Sequence, residues 1–189
     1  MADWRVARSE LILGGQKSGK TARAESLAAA WLAASPAHRA VYLATARAGD
    51  EEMRERIARH RRDRAQRVPA LRTVEEAVAL PEAVAAHSRP DTLLVVDCLT
   101  LWLAALLLPA PGDPPAPDTP EALLARALAA ARGPLVLVSN EIGLGVIPLG
   151  RETRAYADAL GGLNQQAARA CARVTLMAAG LPLVLKEET

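Results

Sequence analysis

Short apolar runs alternate with longer stretches of helical spacing along the chain, and this alternation limits the folds that it can adopt. The clearest runs are ELILG, AVYLAT, TLLVVD, PLVLVS and RVTLMA. They are continuously apolar, as expected of strands that helices cover on both faces. The order predicts an α/β fold with a mostly parallel sheet. Near the end, two strand-like runs in VTLMAAGLPLVLK are separated by Gly180, which predicts a C-terminal hairpin or edge strand.

The chain has 189 residues and is 51% hydrophobic, so we expect residues 1–189 to form a single domain with a sizeable core. Residues 109–120 hold six prolines and predict a surface excursion, with a domain boundary as the alternative. A net charge of +2 does not indicate nucleic-acid binding, and the apolar runs are too short for a membrane anchor or signal core. Cys98 and Cys171 lack metal-binding spacing, so we expect reduced core cysteines and a cytoplasmic protein.

The most specific motif is GGQKSGKT, which lies between the apolar run LIL and the helical stretch ARAESLAAAWLAA. It satisfies GxxxxGK[ST] in a strand–loop–helix context, and it therefore predicts a P-loop NTPase fold with a RecA-like sheet. Backbone N–H groups would surround phosphate oxygens, Lys20 would neutralise the β and γ phosphates, and Thr21 would offer a hydroxyl to Mg²⁺. The alternative is a glycine-rich turn without a ligand. The residues of the motif are Gly14, Gly15, Gln16, Lys17, Ser18, Gly19, Lys20 and Thr21.

The run TLLVVD ends in Asp97, as a Walker B strand does, so Asp97 is predicted to lie with Thr21 on the metal side of the nucleotide. The alternative is that Asp97 caps the helix that begins with CLTLWLAALLL. The NKxD and DxxG motifs of signalling GTPases are missing from the sequence. A nucleic-acid-stimulated ATPase stays an alternative, although only 3% of the residues are aromatic and available for base stacking.

The segment RIARHRRDR, residues 56–64, places His60 among five arginines. Acids at the start of this predicted helix and arginines at its end suit the helix macrodipole, so a solvated basic face is the alternative to a site. Arg56 lies about one turn before His60 and Arg59 directly precedes it, and such a basic face could bind polyphosphate. The neighbouring positive charge would also keep the imidazole neutral, which is the form that a nucleophile needs. His60 is therefore a candidate catalytic residue.

Six segments follow one another along the chain: GGQKSGKT, VYLATARAGDEEMRERIARHRRDR, RTVEEA, LLVVDCLTLWLAALL, VLVSNEIGLGVIP and ADALGGLNQQAA. In this order they resemble the bifunctional adenosylcobinamide kinase and adenosylcobinamide-phosphate guanylyltransferase family of cobalamin biosynthesis. The resemblance implies phosphorylation of adenosylcobinamide with ATP or GTP, and then transfer of GMP from GTP to adenosylcobinamide phosphate. It also implies a GMP-histidine intermediate at His60, Mg²⁺ with the nucleotide, and a homotrimer.

The resemblance further implies nucleotide contacts outside the P-loop, at Thr45, Ala46, Arg47, Arg61, Arg62, Asp63, Arg64, Glu75 and Asp97. Arginines are suited to charge that develops on phosphates. Glu75 has an alternative role, because it or Glu76 could start the helix EEAVALPEAVAAH. The loop after the run PLVLVS supplies candidates for the corrinoid side of the site. These candidates are Asn140, Glu141, Gly143 and Gly145.

The sequence departs from the family pattern at three places. Lys17-Ser18 stands where the family usually has Arg-Ser, which keeps the charge but loses the bidentate fork. Ala157 stands where an arginine is common, so this chain lacks the side chain that would make a phosphate or intersubunit contact at that position. The spacing between HRRDR and RTVE is slightly long, which weakens the assignment of Glu75. A monofunctional P-loop kinase of a small metabolite stays the main alternative function.

Overall fold

The computed structural model describes residues 5–145 and 148–188, and within them seven strands form one sheet. The strand order is β3-β2-β4-β5-β1-β6-β7, and every pair is parallel except β6 with β7. The α/β class, the mostly parallel sheet and the C-terminal hairpin are therefore confirmed. The strands are β1 Ser9–Gly14, β2 Arg39–Ala44, β3 Leu71–Glu75, β4 Thr92–Asp97, β5 Leu135–Val138, β6 Arg173–Ala178 and β7 Leu181–Glu187.

Helices cover both faces of the sheet. They are α1 Lys20–Ala34, α2 Glu51–Arg67, α3 Leu80–His87, α4 Leu99–Leu107, α5 Pro120–Ala130, α6 Arg151–Ala170 and a short 3-10 helix, Ile142–Leu144. Leu11 and Ile12 are adjacent in β1 and point to opposite faces, yet both are fully buried, Leu11 in the cluster with Trp102 and Ile12 in the cluster with Leu27. This two-sided burial explains why the central strands read as continuous apolar runs. No described helix is both long and apolar enough to span a membrane.

β3 is a strand that the apolar pattern did not predict. It lies at the edge of the sheet, where Arg72 and Glu75 are exposed, so its sequence lacks the continuous apolar character of the central strands. The expectation that Glu75 or Glu76 starts a helix is wrong, because Glu75 ends β3 and α3 begins only at Leu80. The Glu76 carboxylate instead accepts hydrogen bonds of 2.9 and 2.8 Å from two backbone N–H groups just before α3.

The proline-rich segment connects α4 to α5. Residues 109–119, all of them described, form neither helix nor strand and are mostly exposed. Pro120 opens α5, where a missing N–H costs no intrahelical hydrogen bond. After α5 the chain enters β5, which pairs with β1 and β4 in the same sheet. The proline-rich segment is therefore part of the connection between β4 and β5, two neighbouring strands of the same sheet.

A buried ion pair fixes α1 on the sheet beneath the predicted P-loop. The Glu10 carboxylate of β1 accepts hydrogen bonds from Arg23 Nε at 2.9 Å and from Thr175 Oγ1 at 2.8 Å. Glu10 is 1% exposed and Arg23 is 4% exposed. A buried pair of this kind adds little net stability but is costly to break, so it holds the strand and the helix in one arrangement. Cys98 and Cys171 are buried and free, as the sequence predicted.

Candidate active site

The GGQKSGKT loop joins β1 to α1 at the carboxyl edge of the sheet. Two of its glycines are required by the backbone. Gly14 has φ +151°, and a Cβ there would lie 2.5 Å from the carbonyl oxygen of Met177. Gly19 has φ +100°, and a Cβ there would lie 3.2 Å from Cα of Gly180. The loop is therefore seated tightly against the β6–β7 turn, while Gly15, Gln16 and Lys17 at its tip are exposed.

Lys20 extends back over this loop. Its Nζ donates hydrogen bonds to the carbonyl oxygens of Gly14 at 2.9 Å and Gly15 at 2.6 Å, and the residue is 8% exposed. Burial lowers the pKa of Lys20, and the negative charge of Asp97 acts in the opposite direction. The ammonium group is therefore held where the loop N–H groups would receive phosphate oxygens.

Asp97 faces the P-loop helix and does not cap α4. The residue that caps α4 is Cys98, which makes no side-chain capping bond, so the capping alternative is wrong. The Asp97 carboxylate instead accepts a hydrogen bond of 3.0 Å from Thr21 Oγ1 and another from the hydroxyl of Tyr42. Sequence reasoning missed Tyr42; its only signal was a phenol group within the otherwise apolar run AVYLAT.

The oxygens of Thr21 and Asp97 are a suitable donor set for Mg²⁺ brought by a nucleotide. Both are hard oxygen donors, and they lie 3.0 Å apart. Among the described residues no cluster of three His, Cys, Asp or Glu side chains could hold a metal ion. Mg²⁺ characteristically takes one or two protein oxygens together with phosphate oxygens and water. The residues present therefore fit this ion when a nucleotide completes its shell.

Thr45 supports the site from within the sheet. Its Oγ1 donates to the carbonyl oxygen of Cys98 and accepts from the Cys98 N–H, both at 2.8 Å, and the residue is fully buried. Its backbone N–H also donates to the Asp97 carbonyl at 3.1 Å. The Thr45 hydroxyl thus ties β2 to the end of β4 and fixes the backbone on both sides of the Asp97 peptide group. Ala46 follows at the same edge and is half-buried.

Arg47, a predicted phosphate contact, is bound by the proline-rich segment. Its guanidinium makes a two-pronged ion pair with Asp113, with both N–O distances at 2.5 Å. These hydrogen bonds raise the pKa of Arg47 and lower the pKa of Asp113. The segment therefore lies against the loop that follows β2. Composition marked the segment as a surface excursion and gave no sign of this contact.

The charged residues that follow His60 have different environments. Arg61 pairs with Glu75, so the structure brings these two sequence-predicted residues together on the surface. Arg62 is exposed, and Asp63 lies 3.9 Å from an arginine one turn later. Arg64 is buried at 4% exposure. Only part of the basic face is therefore open to a ligand.

His60 lies half-buried on α2, whose N-terminus is capped by the Asp50 side chain through a 2.7 Å hydrogen bond from the Met53 N–H. Burial is the main cause that lowers the pKa of His60; Arg56 and Arg59 lower it further. The charge of Asp97, and to a smaller extent that of Asp63, act in the opposite direction. A neutral imidazole agrees with the sequence prediction, although burial and not the arginines is its first cause.

The pH dependence of the chemistry at His60 follows from this lowered pKa. We propose that the neutral ring is the nucleophile, so its reactivity should be retained until the pH falls through the lowered pKa. We expect the acid limb of His60 modification by GTP to lie below about pH 6.5, the ordinary value for histidine. Single-turnover rates measured from pH 5 to pH 8 check this, and an acid limb above 6.5 would contradict it.

Asn140, two residues after the end of β5, is fixed by three hydrogen bonds. Its backbone N–H and its Nδ2 donate to Thr100 Oγ1 at 2.9 and 3.1 Å, and its carbonyl accepts from Asn164 Nδ2 at 3.0 Å. Tyr156 donates to the Thr100 carbonyl at 2.7 Å, beside the half-buried Ala157. The segment after β5 is therefore anchored at its start by α4 and α6.

Glu141 continues toward the P-loop, and its N–H donates to the Gly14 carbonyl at 3.2 Å. Gly143 lies in the 3-10 helix and Gly145 follows it, both exposed. Neither has a positive φ, and a Cβ would have room at both positions. The fold itself therefore does not require glycine at 143 or 145, and this exposed surface beside the P-loop is open to a large substrate.

A P-loop between the first strand and helix, with a strand-end aspartate bonded to its threonine at the carboxyl edge of a parallel sheet, defines a nucleotide-binding protein of the P-loop NTPase class. Residues 10–185 match the family described as cobinamide kinase / cobinamide phosphate guanyltransferase, CobU, and the chain belongs to that family. It is a bifunctional kinase and guanylyltransferase of adenosylcobalamin biosynthesis, as the sequence predicted.

Three relatives cover nearly the full length of the chain. The chain is 48% identical over 180 residues to the bifunctional adenosylcobalamin biosynthesis protein CobP of Pseudomonas aeruginosa. This match covers 95% of this chain and 98% of the relative. It is 32% identical to the bifunctional adenosylcobalamin biosynthesis protein CobU of Escherichia coli and to that of Salmonella typhimurium. Each of these two matches covers 93% of this chain and 98% of the relative.

Proposed function

We propose that both reactions use the nucleotide site at the P-loop, and that His60 carries GMP as a covalent intermediate. One observation carries the proposal: Asp97 is bonded to Thr21 of the P-loop, and its charge also acts on the His60 ring. The candidate nucleophile and the phosphate-binding loop therefore belong to one electrostatic environment. A solvated basic face does not account for the half-buried position of His60 on α2.

In the kinase reaction, the aminopropanol hydroxyl of adenosylcobinamide attacks the γ phosphorus of ATP or GTP and releases its proton to water. The bond between that phosphorus and the β–γ bridging oxygen breaks, and the nucleoside diphosphate leaves with the electron pair. Lys20 and the loop N–H groups bind the phosphate oxygens and neutralise the charge that develops on them. Thr21 and Asp97 would hold Mg²⁺, which supplies further positive charge when it is bound with the nucleotide.

In the guanylyltransferase reaction, a neutral His60 nitrogen attacks the α phosphorus of GTP. A P–N bond forms, the bond to the α–β bridging oxygen breaks, and pyrophosphate leaves. A phosphate oxygen of adenosylcobinamide phosphate then attacks the same phosphorus, which breaks the P–N bond and gives adenosylcobinamide-GDP. Arg61 and Arg62 are exposed on α2, and we propose that they bind the acceptor or the leaving group. A P-loop ordinarily holds β and γ phosphates, so attack at the α phosphorus requires a shifted nucleotide or a movement of α2.

We place the corrinoid beside Asn140, Glu141, Gly143 and Gly145, because this surface adjoins the P-loop. We also propose a homotrimer, as the family resemblance implies. The edge strand β7 supports self-association, since Leu181, Leu183 and Leu185 are 55–71% exposed there. Free buried cysteines agree with a cytoplasmic location.

The proposal is tested with GTP labelled separately at the α and the γ phosphate. Incubation with α-labelled GTP is expected to leave an alkali-stable, acid-labile label on the protein, as a phosphoramidate requires, with release of pyrophosphate. Addition of adenosylcobinamide phosphate should remove that label and transfer it to the product. A protein that transfers γ label to adenosylcobinamide but never acquires α label would be a monofunctional kinase, and the His60 assignment would then be wrong.

A further inference from the structure

Arg64 was predicted to contact the nucleotide, but in the structure its guanidinium contacts Tyr42 and Thr73. The carbon Cζ lies 3.8 Å from the centroid of the Tyr42 ring, and Nε and one terminal nitrogen donate to Thr73 Oγ1 at 3.3 and 3.0 Å. The residue is 4% exposed, whereas Arg61 is exposed on the same helix. A guanidinium held against an aromatic face and a strand hydroxyl is not available to clamp a phosphate.

The contacts of Arg64 continue to the nucleotide loop. The ring beneath Arg64 belongs to Tyr42, whose hydroxyl donates to Asp97. Asp97 in turn accepts from Thr21 of the P-loop. One unbroken series of contacts therefore runs from α2, through β2 and the end of β4, to the start of α1.

His60 lies on the same helix as Arg64, so the contacts that fix Arg64 also fix the part of α2 that carries His60. His60 precedes Arg64 by one helical turn and therefore projects from the same side of α2. One turn beyond Arg64 on the chain, Arg67 makes a 2.7 Å ion pair with the buried Glu25 of α1. The C-terminal part of α2 is thus fixed on β2, β3 and α1, while the first turns of the helix are mostly exposed.

We infer that Arg64 is a positioning residue for GMP transfer: it seats α2 on Tyr42 and so holds His60 in reach of the nucleotide bound beside Asp97 and Thr21. The inference rests on the proposed role of His60. Arg64 acts through α2 and does not contact the reacting atoms. The kinase reaction needs the P-loop, Lys20 and Asp97 but not the placement of His60, so the two activities should depend on Arg64 to different degrees.

The test uses Arg64→Met, which keeps the aliphatic stem but removes the charge and the donors. Self-labelling from α-labelled GTP, under single-turnover conditions and saturating nucleotide, should slow by about 100-fold, the loss expected when a reacting group is misplaced by about 1 Å. The kinase kcat should fall far less, by no more than about fivefold, because Arg64 reaches Asp97 only through the Tyr42 ring. Arg64→Lys keeps a cation over the ring and should restore part of the labelling rate. The matched control is Arg54→Met, at an exposed arginine near the start of α2 that pairs with Glu51.

Any other result would contradict the positioning role, and each contrary result points to a different role for Arg64. A raised nucleotide KM in both reactions, with an unchanged labelling rate at saturation, would make Arg64 a phosphate contact. An equal loss of both activities with a lowered unfolding midpoint would make it a general structural residue. Normal labelling in Arg64→Met, while the parent protein is labelled, refutes this inference alone. If the parent protein takes no α label, the proposed role of His60 fails and this inference fails with it.

Discussion

Replacing His60 with alanine is expected to abolish labelling of the protein by α-labelled GTP and to reduce GMP transfer by at least about 1,000-fold, because no nucleophile remains to form the P–N bond. Kinase activity should remain within about threefold of the parent protein, since Lys20, Thr21 and Asp97 lie outside α2 and none of their hydrogen bonds involves the His60 side chain. Parallel assays of γ transfer to adenosylcobinamide and of α transfer to adenosylcobinamide phosphate measure the split.

The matched control for this experiment is His87→Ala. His87 is the last residue of α3 and lies beside Arg72, with 3.3 Å between its Nδ1 and the guanidinium. Both reactions should proceed in this variant at rates close to those of the parent protein. Persistent acid-labile label in His60→Ala would show that another residue carries GMP. Loss of both activities in that variant, with a normal unfolding transition, would show that His60 serves the nucleotide site as a whole.

Local sequence predicted the parts of the site that local structure makes. The P-loop is recognisable because its signal is contained in one strand, one loop and one helix start, and Gly14 and Gly19 have backbone angles that favour glycine. Asp97 was predictable because a charged residue at the end of a buried parallel strand must lie at the carboxyl edge of the sheet. α2 was predictable from its acidic start and basic end.

The contacts that join these parts depend on the register of the sheet and on residues far apart in the chain. Tyr42 reaches Asp97 because Ala44 of β2 pairs with Asp97 of β4, which no short sequence window contains. Asp113 reaches Arg47 from a segment whose composition indicated only exposure. The apolar pattern did not predict β3, because a strand at the sheet edge does not need a continuous apolar run.

The environments of the arginines and of His60 also depend on distant residues, so local sequence did not predict them. Charge spacing on a helix predicted that the imidazole would be neutral, but burial by neighbouring elements is the larger cause of the lowered pKa. The pattern HRRDR also presented its arginines as equivalent. In the structure Arg61 is exposed and pairs with Glu75, whereas Arg64 packs on the Tyr42 ring. Burial of an individual helix position is set by what packs on it, and a single sequence does not contain that information.

Replacing Lys20 with alanine should impair both reactions together, by about 100- to 1,000-fold in kcat/KM, which is the usual cost of removing one group that stabilises charge in a transition state. The physical reason is that the buried ammonium is held over the loop by the Gly14 and Gly15 carbonyls, where it meets phosphate oxygens in either reaction. Lys17→Ala is the comparator, because Lys17 is an exposed lysine of the same loop, and its loss should raise the nucleotide KM less than tenfold.

The Lys20 variant also decides between one nucleotide site and two. If Lys20→Ala loses kinase activity but still acquires label from α-labelled GTP at the normal rate, GTP for the second reaction must bind somewhere other than the P-loop. If both rates fall in parallel while the unfolding midpoint is retained, a single loop serves both reactions. In that case the guanylyltransferase reaction has to bring the α phosphorus to His60 from a nucleotide anchored at Lys20, so the contacts that seat α2 become part of the catalytic requirement.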